Sequence, residues 1–213
     1  MSVNWKDFII DSFISILGIT FISFGAALSE TMDMGLDPFT ALNRGASSLL
    51  GFSLGNYQLV VNFIILAAVF FIKRSLIGWG TIYNMILVGY LVDFFKGQFQ
   101  SFYEVGGMSL WIRLLITIAA ILIFTLGVAL YMDIELGVSP YDAITPMIID
   151  QTGWSYTPVR IAQDLIVVVS AYFLTGPVGI STVITGFFAG PLISFFSNHL
   201  SEPIINKIKG SFS

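Results

Sequence analysis

The side chains in this chain that could do chemistry are few, and they fall in matched places. Asp37-Pro38 and Ser139-Pro140 each set a helix-capping side chain before a proline suited to the first helical position. A helix start carries unpaired N–H groups and a partial positive charge, so it can hold a polar or negatively charged group. The Asp37 carboxylate offsets that charge, whereas Ser139 leaves it in place. Together the two starts suit a zwitterion or a polar neutral molecule better than a bare anion. The plainer alternative is a pair of ordinary capped interfacial helices. Asn43 and Asp142, on the same two short segments, join the candidate binding set.

Gln58 with Asn62, and Arg160 with Asp164, are polar pairs at a four-residue step, which puts each pair on one helix face. Arg160 and Asp164 can form an ion pair, either as a clamp between helices or as contacts to a substrate. Asp93 is another ionisable residue in an apolar stretch. It either is a buried charge that couples transport through protonation, as Asp164 could, or snorkels toward the interface near Lys96.

Other chemistry is missing. There are no cysteines and one histidine, His199, which reads as a surface residue. No H-E-x-x-H, phosphate-binding loop, dinucleotide fingerprint or nucleophile elbow occurs. The expectation is a protein that is not an enzyme and needs neither metal nor cofactor. Nine Lys+Arg against thirteen Asp+Glu, a net charge of −4, argues against nucleic acid as a partner.

The elements that must position these residues follow from composition. Of 213 residues, 56% are hydrophobic and 10% charged, against roughly 25% charged in average globular domains. The mean hydropathy is +0.88. Such a chain is an all-α polytopic membrane protein with the lipid bilayer as its first partner. A crossing needs about 20 mostly apolar residues. Six stretches qualify or nearly so: Phe8 to Ser29, Tyr57 to Ile72, Ile77 to Phe95, Leu110 to Tyr131, Val159 to Leu174 and Val178 to Phe196. Pro38 to Leu50 and Pro140 to Ile149 are too short to cross and read as re-entrant or interfacial half-helices. Gly25-Ala26-Ala27 resembles a signal-peptide cleavage pattern, but it recurs as Gly127-Val128-Ala129 deep in the chain.

That recurrence belongs to an internal repeat. Shifting the sequence by 102 residues puts Gly35 on Gly137, Pro38 on Pro140, Ala41 on Ala143 and Gly51 on Gly153. After one deletion, Gly78 falls on Gly179, Thr81 on Thr182 and Gly89 on Gly190. The halves 1–101 and 102–213 each read span, half-helix, span, span, within one membrane domain. Three crossings per half make the repeat inverted in topology. The turn carrying Lys73-Arg74 has an uncharged counterpart, Thr175-Gly176-Pro177, as expected if only the first is cytoplasmic. Both termini are then cytoplasmic, while Arg44, Lys96 and Arg113 lie outside. Thr81, Gly89 and Asp93 share one face of the third span; Thr182, Gly186 and Gly190 share one face of the sixth. These small residues pack helices together, within the chain or across a homodimer. Pro191 is expected to kink the sixth span, and Asp33 and Glu135 to sit at a solvated rim.

With these residues laid out, the chain resembles the YczE/YyaS/YitT family of bacterial membrane proteins, the YczE branch most of all. The resemblance rests on Gly35-Leu36-Asp37-Pro38-Phe39-Thr40-Ala41-Leu42-Asn43, Ile77-Gly78-Trp79-Gly80-Thr81, Gly137-Val138-Ser139-Pro140-Tyr141-Asp142-Ala143-Ile144 and Gly190-Pro191-Leu192-Ile193. It covers nearly the whole chain and implies a bacterial cytoplasmic (inner) membrane location. It carries no agreed activity and no catalytic residues; no soluble domain is expected after the last span, unlike the longer YitT-type members.

The functional expectation is a small-molecule transporter, or the substrate-binding membrane component of one, for a small polar or zwitterionic metabolite. The alternative is a non-transporting membrane protein that regulates or scaffolds a partner protein. A carrier should have a polar cavity at the pseudo-symmetric centre, lined by Arg160 or Asp164. A scaffold should be solid there and carry an exposed apolar groove.

Overall fold

The computed structural model of the chain describes residues 5–102 and 105–212, and every regular element among them is helical. α1 (Trp5–Thr31) leads through a short extended segment into α2 (Pro38–Leu50), α3 (Leu54–Lys73) and α4 (Trp79–Phe102). α5 (Leu110–Asp133), α6 (Pro140–Thr152), α7 (Tyr156–Phe173) and α8 (Ile180–Phe196) follow in the same rhythm. A π-helical turn at Ser197–Ser201 leads into α9 (Glu202–Phe212).

Local chemistry sets the short helices. The Asp37 carboxylate accepts from Thr40 N at 3.1 Å, the Ser139 hydroxyl from Asp142 N at 3.1 Å, and each start has proline in its first turn. Gly51 and Gly153 stop the two helices in the left-handed region, with φ of 72° and 70°.

α1 and α5 form the central pair. Gly18 of α1 lies against the backbone at Gly127, and Gly25 against Ala120. Rising numbers on α1 meet falling numbers on α5, so the two helices run antiparallel. Only glycine lets the backbones come this close. α1 also packs on α4, and α5 on α8; α2 lies along α7, and α6 along α3. The extended segments before α2 and α6 each pair with the tight turn of the other half. Leu36 N donates to Pro177 O at 3.0 Å and Ser181 N to Met34 O at 2.8 Å. In matching fashion Val138 N donates to Leu76 O at 3.2 Å and Gly80 N to Leu136 O at 2.8 Å. The main core cluster joins Ile19, Leu36, Ala41, Leu54, Val92 and Ala171, so it draws on both halves. Large apolar side chains such as Phe63, Phe71, Trp111 and Phe173 face outward, as a lipid-bathed surface requires.

Among the described residues, four helical stretches are long and apolar enough to cross a membrane: Trp5–Thr31, Leu54–Leu76, Leu110–Asp133 and Ile180–Lys209. α4 and α7 fall short of that standard because Asp93, Lys96, Arg160 and Asp164 interrupt their apolar runs. The helices also exceed the apolar stretches. α4 continues past Phe95 to Phe102, with Lys96 neutralised by Glu30 at 2.7 Å. α7 begins at Tyr156 rather than Val159, and α3 at Leu54 rather than Tyr57. Pro191 does not break α8, which runs on to Phe196 before the π turn. α9 had no place in the sequence reading, although Ile204, Ile205 and Ile208 follow a helical period. Ile205 packs on Ile14, Leu130 and Ile134, and Lys209 pairs with Asp11 at 2.9 Å.

Candidate functional site

The first residues of α2 and α6 meet. The rings of Phe39 and Tyr141 stack with centroids 4.5 Å apart and planes 18° from parallel. The two helix starts therefore face a shared region, and the side chains next to them form a connected polar network.

Arg160, on the first turns of α7, is its hub. Its Nη1 donates to Asp142 Oδ1 at 2.6 Å and its Nε to Asp164 Oδ2 at 3.1 Å. The guanidinium carbon also lies 5.1 Å from the Tyr141 ring centroid. Tyr141 Oη donates to Asp164 Oδ1 at 2.5 Å, and Ser139 Oγ donates to Asp142 Oδ2 at 2.6 Å. Both carboxylates thus have partners on both oxygens. Gln163 braces the assembly from behind: its Nε2 donates to Tyr141 O at 3.0 Å and its Oε1 accepts from Thr145 at 2.7 Å. Asp164 is buried, and charges there are tolerable because they are paired and hydrogen-bonded.

Asp37 caps α2 within electrostatic reach of Asp142 and Asp164. The region therefore holds three carboxylates and one guanidinium. The α3 residues equivalent to Arg160 and Asp164 are Gln58 and Asn62. They are 3% and 1% exposed, and neither amide atom of Asn62 nor the Oε1 of Gln58 has a hydrogen-bond partner. A physical reason is visible at Asn62. Its counterpart Asp164 takes a hydroxyl from Tyr141, but the residue equivalent to Tyr141 is Phe39, which has none. Tyr131, which no sequence motif singles out, is 3% exposed and its hydroxyl has no hydrogen-bond partner.

Other expected site residues go elsewhere. Asn43 is buried and donates to Phe39 O at 2.7 Å within α2. Asp93 belongs to a second cluster: it accepts from Arg44 at 2.7 Å and from Gly55 N at 3.0 Å. Arg44 also reaches Glu30, which in turn holds Lys96. These are contacts that tie α1, α2, α3 and α4 together. Nothing in the sequence singles out Glu30, and Arg44 reads there only as a cation on the outer side, because their partners are far apart in the chain. Thr81 and Thr182 accept from Gly78 N and Gly179 N at 3.1 and 3.0 Å. Gly89 sits tightly against Gly55 of α3; Gly186 touches only Pro38, and a Cβ on Gly190 would meet nothing within 4 Å. The expected close packing at the Gly190 position of α8 is therefore not found. Asp33 and Glu135 adopt φ of 57° and 55° at the ends of α1 and α5, and Asp33 pairs with Arg113 at 3.1 Å. His199 is exposed and stacks on Phe195.

At the polar centre Tyr141 and Asp164 are buried, while the Arg160 and Asp142 side chains keep 28% and 37% of their exposure. An apolar groove of about 740 Å³ runs between α6 and α7 past Ile144, Ile148, Trp154 and Ile166, reaching Tyr141 and Gln163. Among the described residues no group of His, Cys, Asp or Glu is placed to hold a metal ion.

Compared with known proteins, residues 9–198 match the family of unknown function DUF6198. The chain is 25% identical over 179 residues to the uncharacterized membrane protein YczE of Bacillus subtilis (strain 168), covering 84% of this chain and 81% of that one. An uncharacterized protein of Haemophilus influenzae (strain ATCC 51907 / DSM 11121 / KW20 / Rd) is 27% identical over 192 residues, 89% of this chain and 82% of its own. The uncharacterized protein YyaS of Bacillus subtilis (strain 168) is 24% identical over 205 residues, 90% and 92% of the two chains. No solved structure matches.

Proposed function

The chain belongs to the DUF6198 family and, like its relative YczE, is a membrane protein; from that premise we propose that it is a carrier of a small polar or zwitterionic metabolite in the bacterial cytoplasmic membrane. The observation that carries this reading is the meeting of the α2 and α6 starts, Phe39 on Tyr141, beside the network of Arg160, Asp142 and Asp164. Ionisable groups within membrane spans are costly and mark substrate or ion pathways in many membrane proteins. Half-helix starts aimed at one centre are a recurring way to hold a ligand at mid-membrane.

The reading includes six crossings, α1, α3, α4, α5, α7 and α8, with α2 and α6 re-entrant. It makes the halves an inverted repeat. The antiparallel run of α1 against α5, together with the reciprocal bonds Leu36–Pro177 and Val138–Leu76, supports this. Both termini are cytoplasmic. On this reading, rocking one half against the other opens the centre to either side. No catalytic step is assigned.

The test is substrate counterflow into proteoliposomes holding the purified protein, across amino acids, amines, betaines and vitamins. Uptake above protein-free vesicles, abolished by Asp164→Asn, is expected. Absence of uptake for every compound would remove the carrier reading. One observation favours a second reading: the apolar groove between α6 and α7 is of the kind that seats a helix of a membrane partner. For a partner protein, counterflow fails and a Trp154→Ala change releases a co-purifying membrane protein.

A further inference from the structure

On the carrier reading, on which this inference rests, we propose that Glu30, Arg44, Asp93 and Lys96 are a charged latch that holds one end of the molecule shut, and that the other end, which lacks it, is the one through which the polar centre is reached in this conformation.

The two ends can be compared position by position. Glu30 lies at the end of α1 and its repeat counterpart Met132 at the end of α5; these helices run antiparallel, so the two residues mark opposite ends of the pair. At the Glu30 end four helices are tied together. Arg44 of α2 reaches Glu30 at 2.8 Å and Asp93 of α4 at 2.7 Å, and Lys96 of α4 reaches Glu30 at 2.7 Å. Asp93 also accepts from Gly55 N, in the first turn of α3, at 3.0 Å. Tyr90 Oη donates to Asn56 Oδ1 at 2.8 Å. At the Met132 end the positions equivalent to the latch hold Met132, Pro146, Ser194 and Ser197, none of them charged, and Pro191 and Pro158 stand where Tyr90 and Asn56 would be. Among the described residues no side-chain hydrogen bond or ion pair joins α7 to α8.

Burial follows the same division and is an independent observation. Gln58 and Asn62, one and two turns along α3 from Gly55, are buried. Arg160, at the position equivalent to Gln58, keeps part of its exposure, and so does Asp142 beside it. On α8, Gly190, Pro191 and Ser194 are exposed. The chemistry of the latch suits a contact that must part. Where Gly18 and Gly25 seat α1 on α5, the contact is close packing at the backbone, which is lost outright on separation. Arg44, Asp93 and Lys96 keep 16%, 28% and 27% of their side-chain exposure, so water can take up their hydrogen bonds as the helices separate. Ion pairs shut wholly away from water would not release in that way.

The experiment measures distances between paired nitroxide labels, by pulsed electron double resonance, on the purified full chain in lipid nanodiscs. Phe52→Cys with Phe94→Cys reports on the latched end; Trp154→Cys with Phe195→Cys, at the equivalent positions, reports on the other. All four positions are exposed. Arg44→Gln releases the latch yet leaves Glu30 with Lys96 and Asp93 with Gly55 N, so the fold is expected to survive. Asp93→Asn, which keeps an acceptor for Gly55 N, is a second release. Without either change, under about a tenth of the molecules should depart from the main distance of each pair. Either release should lengthen the 52–94 distance in about a third of the molecules or more, and shorten the 154–195 distance in the same fraction. Arg44→Lys keeps the charge and should retain most of the unaltered distribution. The linked shortening is the readout that a plain tie between helices would not move. No change in either pair, or lengthening of 52–94 alone, overturns the latch and leaves the carrier standing. Counterflow by the unaltered chain tests the carrier separately: its absence removes the carrier, while linked shifts still bear out the latch.

Discussion

Tyr141 and Arg160 show how much one side chain can decide in this centre. Tyr141→Phe takes away the hydroxyl that bonds Asp164 and leaves a buried carboxylate oxygen without a donor. The expected loss is about 1–3 kcal/mol, read as a lower unfolding temperature in detergent. Arg160→Met removes the shared cation from Asp142 and Asp164 together, and about 3–5 kcal/mol is expected. A double change, Arg160→Met with Asp164→Leu, should recover part of that loss. If the single change costs nothing, the pairs do not exist in the membrane. The Arg160–Asp164 pair was legible in the sequence because its members are one helical turn apart. The bond from Tyr141 and the cluster of Glu30, Arg44, Asp93 and Lys96 were not, since these partners come from different helices. Asn62 and Gln58 matched the polar pair on α7 in sequence, yet no pattern in the chain signals that their amides lack partners.

At the scale of elements, glycines mark where helices touch, and their surroundings differ in ways sequence cannot register. A Cβ at Gly25 would strike the Ala120 carbonyl, so Gly25→Ile should force α1 from α5 and cost about 2–3 kcal/mol. Gly89 and Gly190 occupy equivalent repeat positions, but their neighbours do not match. Gly89→Ala should destabilise, because its Cβ would meet Gly55 Cα at 2.8 Å. Gly190→Ala should be neutral or stabilise by up to about 1 kcal/mol through helix propensity. Thermal unfolding of the two variants side by side checks this. Helix starts were well read from sequence, because proline and a capping residue announce them locally. Helix ends were less so: α4 runs on past its apolar stretch because Lys96 pairs with Glu30 and Phe99 packs on Phe24, contacts made with another helix.

For the molecule as a whole, the proposed arrangement of the halves rests on a handful of backbone requirements, Gly35 with Gly137 and Pro38 with Pro140, rather than on greasiness, which any two membrane segments share. The native chain has no cysteine, so single cysteines report topology cleanly. Arg74→Cys and Thr175→Cys should react with a membrane-impermeant maleimide from opposite faces of oriented vesicles; labelling from the same face would make the halves parallel. Gly190 lies exposed on α8, with no neighbour over it. In the first half the corresponding space is taken up, so like parts of one molecule rest in unlike poses. On the carrier reading, trading those poses would yield a resting shape related to this one by a pseudo-two-fold turn, with the bare face at Gly190 covered and the one at Gly89 laid open.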